Sequence, residues 1–193
     1  MAPVSPFGSP VPPGEALAAV GNRLAEWYHA IPGTDGRRVR LLAAVTDLPD
    51  ATLSFERERR LFSRTRQLVV ESEAPGRGPS DDGTLVVRAR RLRRRFDVEW
   101  LGSTAEERGE GRHASLAAGL AAGARTMTNV RELSCGWSAS ERRWRLRLVT
   151  LAGALIGTSP VAAVAVPLEP EDVDGLLAVL RAFKAGAAGS RRG

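Results

Sequence analysis

The sequence has one cysteine, Cys135, and two histidines, His29 and His113, among its 193 residues. A single thiol excludes an intrachain disulfide and a cysteine-rich metal site. The two histidines are far apart in the chain, which gives no metal-ligand spacing and leaves few candidates for a general base. We therefore predict no catalytic residue, no metal site and no cofactor, and favour a non-enzymatic protein over an enzyme.

Long apolar runs are also missing from the sequence. No stretch of about 18 uninterrupted apolar residues occurs, and the first residues lack the basic and apolar regions of a signal peptide. The nearest candidate, residues 149–168, is interrupted by two glycines and two prolines and predicts strands joined by a turn. We expect a cytoplasmic protein that does not associate with a membrane.

Lysine is nearly absent, because Lys184 is the only lysine and the other 27 basic residues are arginine. Abundant arginine, alanine and glycine are typical of a GC-rich bacterial genome, which accounts for much of the net charge of +6. The charge is unevenly distributed, however. Residues 74–103 hold seven arginines and four acids, and residues 113–152 hold six arginines and two acids. These two stretches form a candidate footprint for an anionic partner.

The composition predicts one folded domain with two irregular ends. Residues 1–14 contain five prolines and predict a flexible Pro-rich leader. Residues 15–185 are long enough to bury a core and predict a single α+β domain. Residues 186–193 predict a disordered tail.

Two periodicities alternate along the domain. Apolar residues at helical spacing predict helices over 15–31, 114–124 and 170–184. The segments between them alternate with period two and predict about seven or eight strands. Because these strands follow one another without intervening helices, we expect an α+β fold in which a mainly antiparallel sheet packs against three helices on one face.

Arginine is concentrated at alternate positions of two predicted strand regions. Arg143, Arg145 and Arg147 alternate with apolar residues, which predicts a strand with a buried face and a guanidinium-bearing face. Six of the eight residues from 88 to 95 are arginine. We predict that these arginines bind an acidic protein partner; the candidate residues are Arg88, Arg90, Arg91, Arg93, Arg94, Arg95, Arg143, Arg145 and Arg147.

Three alternatives remain open at this point. Nucleic acid is the alternative partner for the same basic face. A solvated sheet face explains the pattern without a ligand if nearby glutamates form cross-strand pairs with the arginines; the glutamates considered are Glu56, Glu58, Glu71, Glu99 and Glu141. A small-molecule carrier or an enzyme with an unrecognised site would need a deep pocket near His113, Cys135 or several carboxylates. The partner's identity and the oligomeric state are not determined by the sequence.

Overall fold

A computed structural model describes residues 12–59, 63–76, 78, 82–90, 95–102, 114–158 and 164–188. Three helices and nine strands lie in this part of the chain. In chain order they are α1 (Pro13–Arg23), β1 (Tyr28–Pro32), β2 (Arg38–Ala43), β3 (Ala51–Arg59), β4 (Ser63–Pro75), β5 (Gly83–Arg90), β6 (Arg95–Gly102), α2 (Ala114–Thr126), β7 (Val130–Ser138), β8 (Arg143–Thr158), β9 (Val164–Ala165) and α3 (Pro170–Ala187).

The strands form one antiparallel sheet in the order β1-β2-β3-β4-β8-β7-β5-β6, and the two-residue β9 pairs with β8. The predicted α+β fold with an antiparallel sheet and three helices is therefore confirmed. Strands that are adjacent in sequence form the hairpins β1–β2, β3–β4, β5–β6 and β7–β8. The pairing of β4 with β8 joins the N-terminal strands to the C-terminal ones.

Alternation of side chains places the core on one face of the sheet. Trp144, Leu146 and Leu148 of β8 are at most 1% exposed and point towards the helices. Helices α1 and α3 contact this face, and α2 packs on both the sheet and α3. We call the opposite face, which carries residues 143, 145 and 147, the outer face.

The helix predicted over residues 15–31 is only partly correct. Helix α1 spans Pro13–Arg23, and the chain then turns and forms strand β1 from Tyr28 to Pro32. The backbone of β1 pairs in register with β2, and the buried Tyr28 hydroxyl donates a hydrogen bond to the carbonyl oxygen of Pro49 at 3.1 Å. These long-range hydrogen bonds outweigh the local helical preference of the segment. The helical spacing of apolar residues continues into β1 by coincidence.

The other two predicted helices are present, and each extends slightly beyond its expected C-terminal end. The predicted strands over 84–101 and 143–151 are also present, as the β5–β6 hairpin and the first half of β8. Of the strand expected over 161–168, the described residues contain only β9. Residues 1–11 of the predicted leader and 189–193 of the predicted tail lie outside the described residues.

No helix among the described residues is long and apolar enough to cross a lipid bilayer.

Candidate functional site

The three arginines of β8 lie side by side on the outer face, as their alternation with buried residues predicts. The exposed fraction of the side chain is 51% for Arg143, 54% for Arg145 and 33% for Arg147. Strands β4 and β7 flank β8 on its two sides and carry the side chains that face these arginines. The environment of the row is therefore set by β7, which precedes β8 directly in the chain, and by β4, which is distant in sequence.

Arg147 is the centre of a cluster of four charged residues. Its Nη2 atom lies 2.6 Å from Glu56 Oε2 and its Nη1 atom lies 3.2 Å from Glu71 Oε1. Its Nε atom lies 3.4 Å from Glu132 Oε1. A guanidinium group presents its donors in a planar fork, so one arginine can serve several carboxylates at once. The charge of Arg147 is thus more than balanced within the protein.

Arg143 and Arg145 share carboxylates in a similar way. Glu73 Oε1 accepts from Arg145 Nε at 3.1 Å, and Glu73 Oε2 accepts from Arg143 Nη1 at 3.4 Å. Arg145 Nη2 also donates to Glu141 Oε2 at 2.5 Å, across the turn between β7 and β8. All three arginines of the row therefore have acidic partners on their own face.

This arrangement has a clear electrostatic consequence. Glu71 and Glu73 lie directly opposite Arg147 and Arg145 in the β4–β8 register, so the charges alternate across the sheet. Such pairs are largely solvated, and each contributes little to stability. The surface at Arg143, Arg145 and Arg147 is therefore a solvated sheet face with cross-strand Arg–Glu pairs, which is one of the alternatives considered in the sequence analysis. These side chains present little uncompensated positive charge to a partner.

The remaining six predicted partner-binding residues are only partly placed. Arg88 pairs in register with Asp97, and Arg90 with Arg95, in the β5–β6 hairpin. The side chains of these three arginines are outside the described part of the structure, as are Arg91, Arg93 and Arg94 entirely. Their role in partner binding stays a prediction.

Two further arginines on the outer face were missed by the sequence prediction. Arg38 and Arg40 are exposed on β2, and neither forms an ion pair with any residue that the structure describes. Their alternation with buried Val39 and Leu41 is the signal in the sequence that could have identified them. The charge of both is therefore available on the outer face.

Arg38 and Arg40 border an open groove of about 300 Å³ on the outer face. Glu71 and Glu73 line its far wall, and both are already engaged by the arginines of β8. Asp50 at the groove's end accepts a hydrogen bond from the amide of Ala43 at 2.9 Å. The groove is thus polar, and its unpaired charge is positive.

Cys135 and His29 lie on strands that are not neighbours in the sheet. Cys135 is fully buried in β7, and burial raises the pKa of its thiol from 9.0 to about 12, so the thiol stays protonated at neutral pH. His29 is exposed on β1, and His113 lies outside the described residues. No group of three or more histidine, cysteine or acidic residues able to hold a metal ion occurs among the described residues.

No family model, no curated protein and no solved structure matches this chain.

Proposed function

We propose that this protein is a non-enzymatic binding domain whose outer sheet face engages an acidic protein partner. The observation that carries the proposal is the pair Arg38 and Arg40, which are exposed beside a groove and have no acidic partner in the described structure. A guanidinium group forms strong, often bidentate hydrogen bonds with carboxylates. Arginines without such partners are the groups that an acidic surface would contact first.

The proposal places the first contact on two arginines that the sequence prediction did not select. Arg143, Arg145 and Arg147 hold their own glutamates, so a partner would have to displace these carboxylates to bind there. Binding at Arg38 and Arg40 would displace no carboxylate of the described residues. The partner is therefore expected to contact β2 first and to approach β8 as a secondary region.

The test is a binding assay with a fluorescein-labelled polyglutamate decapeptide, followed by fluorescence anisotropy at low salt. Replacing Arg38 and Arg40 together by glutamine should weaken binding by about tenfold, because two charge-assisted contacts are lost. The matched control is the double variant Arg125→Gln and Arg131→Gln, which removes the same charge from two other exposed arginines. Equal weakening in both variants, or no binding by the native protein, would contradict the proposal.

A single-stranded oligonucleotide of matched charge separates the proposal from nucleic-acid binding. If the protein binds the oligonucleotide more tightly than the peptide, and loses it steeply as salt is raised, the partner is nucleic acid. Weak oligonucleotide binding beside measurable peptide binding is the result expected of an acidic-protein partner.

A further inference from the structure

The end of the β3–β4 hairpin carries a second concentration of arginine, outside the stretches that the sequence analysis selected. Residues 57–66 contain five arginines and one acid, Glu58. In this register Arg57 lies directly opposite Arg66, and Arg59 lies directly opposite Arg64. Like charges at directly opposed positions repel each other and destabilise a sheet. The Arg57–Arg66 pair is therefore an unfavourable arrangement for the protein alone.

Strand alternation explains why the neighbouring glutamates do not relieve this repulsion. Glu56 and Glu58 point to the outer face, where Glu56 binds Arg147 and Glu58 accepts a hydrogen bond from Gln67. Arg57 and Arg66 occupy the opposite face, in line with the buried Leu53 and Leu68. The glutamates adjacent in sequence are thus on the wrong side of the sheet to pair with these arginines.

The local electrostatics agree with this geometry. Arg57 is exposed and Arg66 is half-buried, and neither forms an ion pair or side-chain hydrogen bond within the part of the chain that the structure describes. Burial, and secondly the positive charge of Arg57, lower the pKa of the Arg66 guanidinium. The two guanidinium-bearing residues therefore lie opposite each other, and no carboxylate of the described residues pairs with either.

The outer face of the same sheet shows which chemical group pairs with arginines on neighbouring strands. There, carboxylates directly across the strands bind Arg145 and Arg147, and one carboxylate, that of Glu73, bridges two arginines. At the end of the β3–β4 hairpin the positions across the strand are themselves arginine. No carboxylate of the described residues pairs with Arg57 or Arg66, so both are available to carboxylates of another chain.

We propose that the Arg57–Arg66 pair is the anchor for an extended acidic segment of the protein partner. The proposal rests on the proposed function and gives the partner a second contact, on the face of the sheet opposite to Arg38 and Arg40. The pairs Arg57–Arg66 and Arg59–Arg64 are two residues apart along each strand, or about 7 Å. Acidic side chains on alternate residues of an extended peptide have the same spacing. The segment therefore carries glutamate or aspartate at every second position.

Two labelled peptides of identical composition test this spacing. One alternates glutamate with threonine, which favours an extended chain, and the other groups the glutamates in one block. The native protein should bind the alternating peptide several-fold more tightly. Equal affinity for the two peptides would overturn the spacing argument, and tighter binding of a matched oligonucleotide would assign the hairpin to nucleic acid instead.

The double variant Arg57→Gln and Arg66→Gln tests the residues. Affinity for the alternating peptide should fall by about tenfold or more, while the Tm should be unchanged or higher because the repulsion is removed. The Arg125→Gln and Arg131→Gln variant again controls for net charge. If the double variant does not fold, each single variant should still lose part of the affinity. Affinity equal to that of the control variant would overturn the inference.

The failure of this inference can be distinguished from the failure of the proposed function. If replacing Arg38 and Arg40 weakens peptide binding while replacing Arg57 and Arg66 has no effect, the function stands and the hairpin is not the anchor. If the native protein binds neither acidic peptide, the proposed function itself is wrong.

Discussion

Asp172 is the only charged side chain that is buried among the described residues, at 1% exposure. Its Oδ1 atom accepts hydrogen bonds from the backbone amide of Thr128 at 2.7 Å and from the Thr128 hydroxyl at 2.8 Å. The carboxylate also lies in the first turn of α3, where the helix dipole favours negative charge. One side chain therefore connects the start of α3 to the turn that follows α2.

Replacing Asp172 by alanine should lower the free energy of unfolding by about 3 kcal/mol, because two hydrogen bonds to a charged acceptor are lost. Replacement by asparagine should cost only about 1 kcal/mol, since its carbonyl oxygen can still accept both bonds. Urea unfolding followed by circular dichroism measures both. The control is Asp174→Ala, an exposed acid two residues later in the same helix. Equal losses for Asp172→Ala and Asp174→Ala would refute this role.

Sequence reasoning at the level of single residues worked where a local pattern was sufficient. The alternation of Arg143, Arg145 and Arg147 with apolar residues correctly predicted a strand with those arginines on its exposed face. It could not predict that Glu71 and Glu73 would lie across from them, because that register depends on pairing between strands about 75 residues apart in the chain. The opposed arginines at 57 and 66 were missed for a similar reason. That Arg57 lies opposite Arg66 is set by the β3–β4 register, which the local sequence pattern does not determine.

At the scale of secondary structure, close packing of α2 on α3 depends on glycine. A Cβ atom added to Gly123 would lie 2.7 Å from the backbone nitrogen of Val179 and 3.0 Å from the carbonyl oxygen of Gly175. A Cβ atom added to Gly119 would lie 2.8 Å from the Cβ atom of Ala182. Gly119 and Gly123 therefore permit the close approach of α2 to α3.

The variant Gly123→Ala distinguishes helix propensity from packing, because the two effects have opposite signs. Propensity alone would stabilise α2 by about 1 kcal/mol. Overlap with the backbone of α3 should instead give a net destabilisation of about 2 kcal/mol. The reverse change at a neighbouring exposed site, Ala122→Gly, should cost about 1 kcal/mol by propensity alone. A higher Tm for Gly123→Ala in calorimetry would show that the helices are not in tight contact.

Element boundaries were predicted less well than element types. Tyr28 and Ile31 continue the apolar spacing of α1, so the sequence alone extends the helix across them. Their actual strand geometry is imposed by β2, which pairs with Tyr28 at Ala43 and with Ile31 at Arg40. Tertiary hydrogen bonds of this kind override a short helical pattern.

At the scale of the whole molecule, Cys135 reports on the integrity of the sheet. It lies on β7, between β5 and β8, and is fully buried. Its pKa is raised from 9.0 to about 12 in the folded protein, so the folded state holds the thiol proton more tightly than the unfolded state does. This contribution to stability is complete below about pH 9 and is lost as the pH rises towards 12.

Alkylation of Cys135 should therefore be slow at neutral pH without denaturant. We expect its rate to rise with urea in parallel with the loss of circular dichroism, because the thiol becomes accessible only when the sheet opens. A pH series should show a falling unfolding midpoint above pH 9, and the variant Cys135→Ser should show a smaller fall. Rapid labelling of the native protein by iodoacetamide would show that the centre of the sheet opens without global unfolding.

The strand order also determines when the complete sheet can form. Strands β1 to β4 come from residues 28–75 and strands β5 to β8 from residues 83–158, and only β4 and β8 join the two sets within the sheet. Each set contains short-range hairpins that can close early, whereas the junction requires distant segments to meet. During synthesis on a ribosome, the backbone groups along the β8-facing edge of β4 therefore stay unpaired until the residues of β8 have emerged. While this edge is unpaired, nascent chains of this protein are most exposed to aggregation with one another.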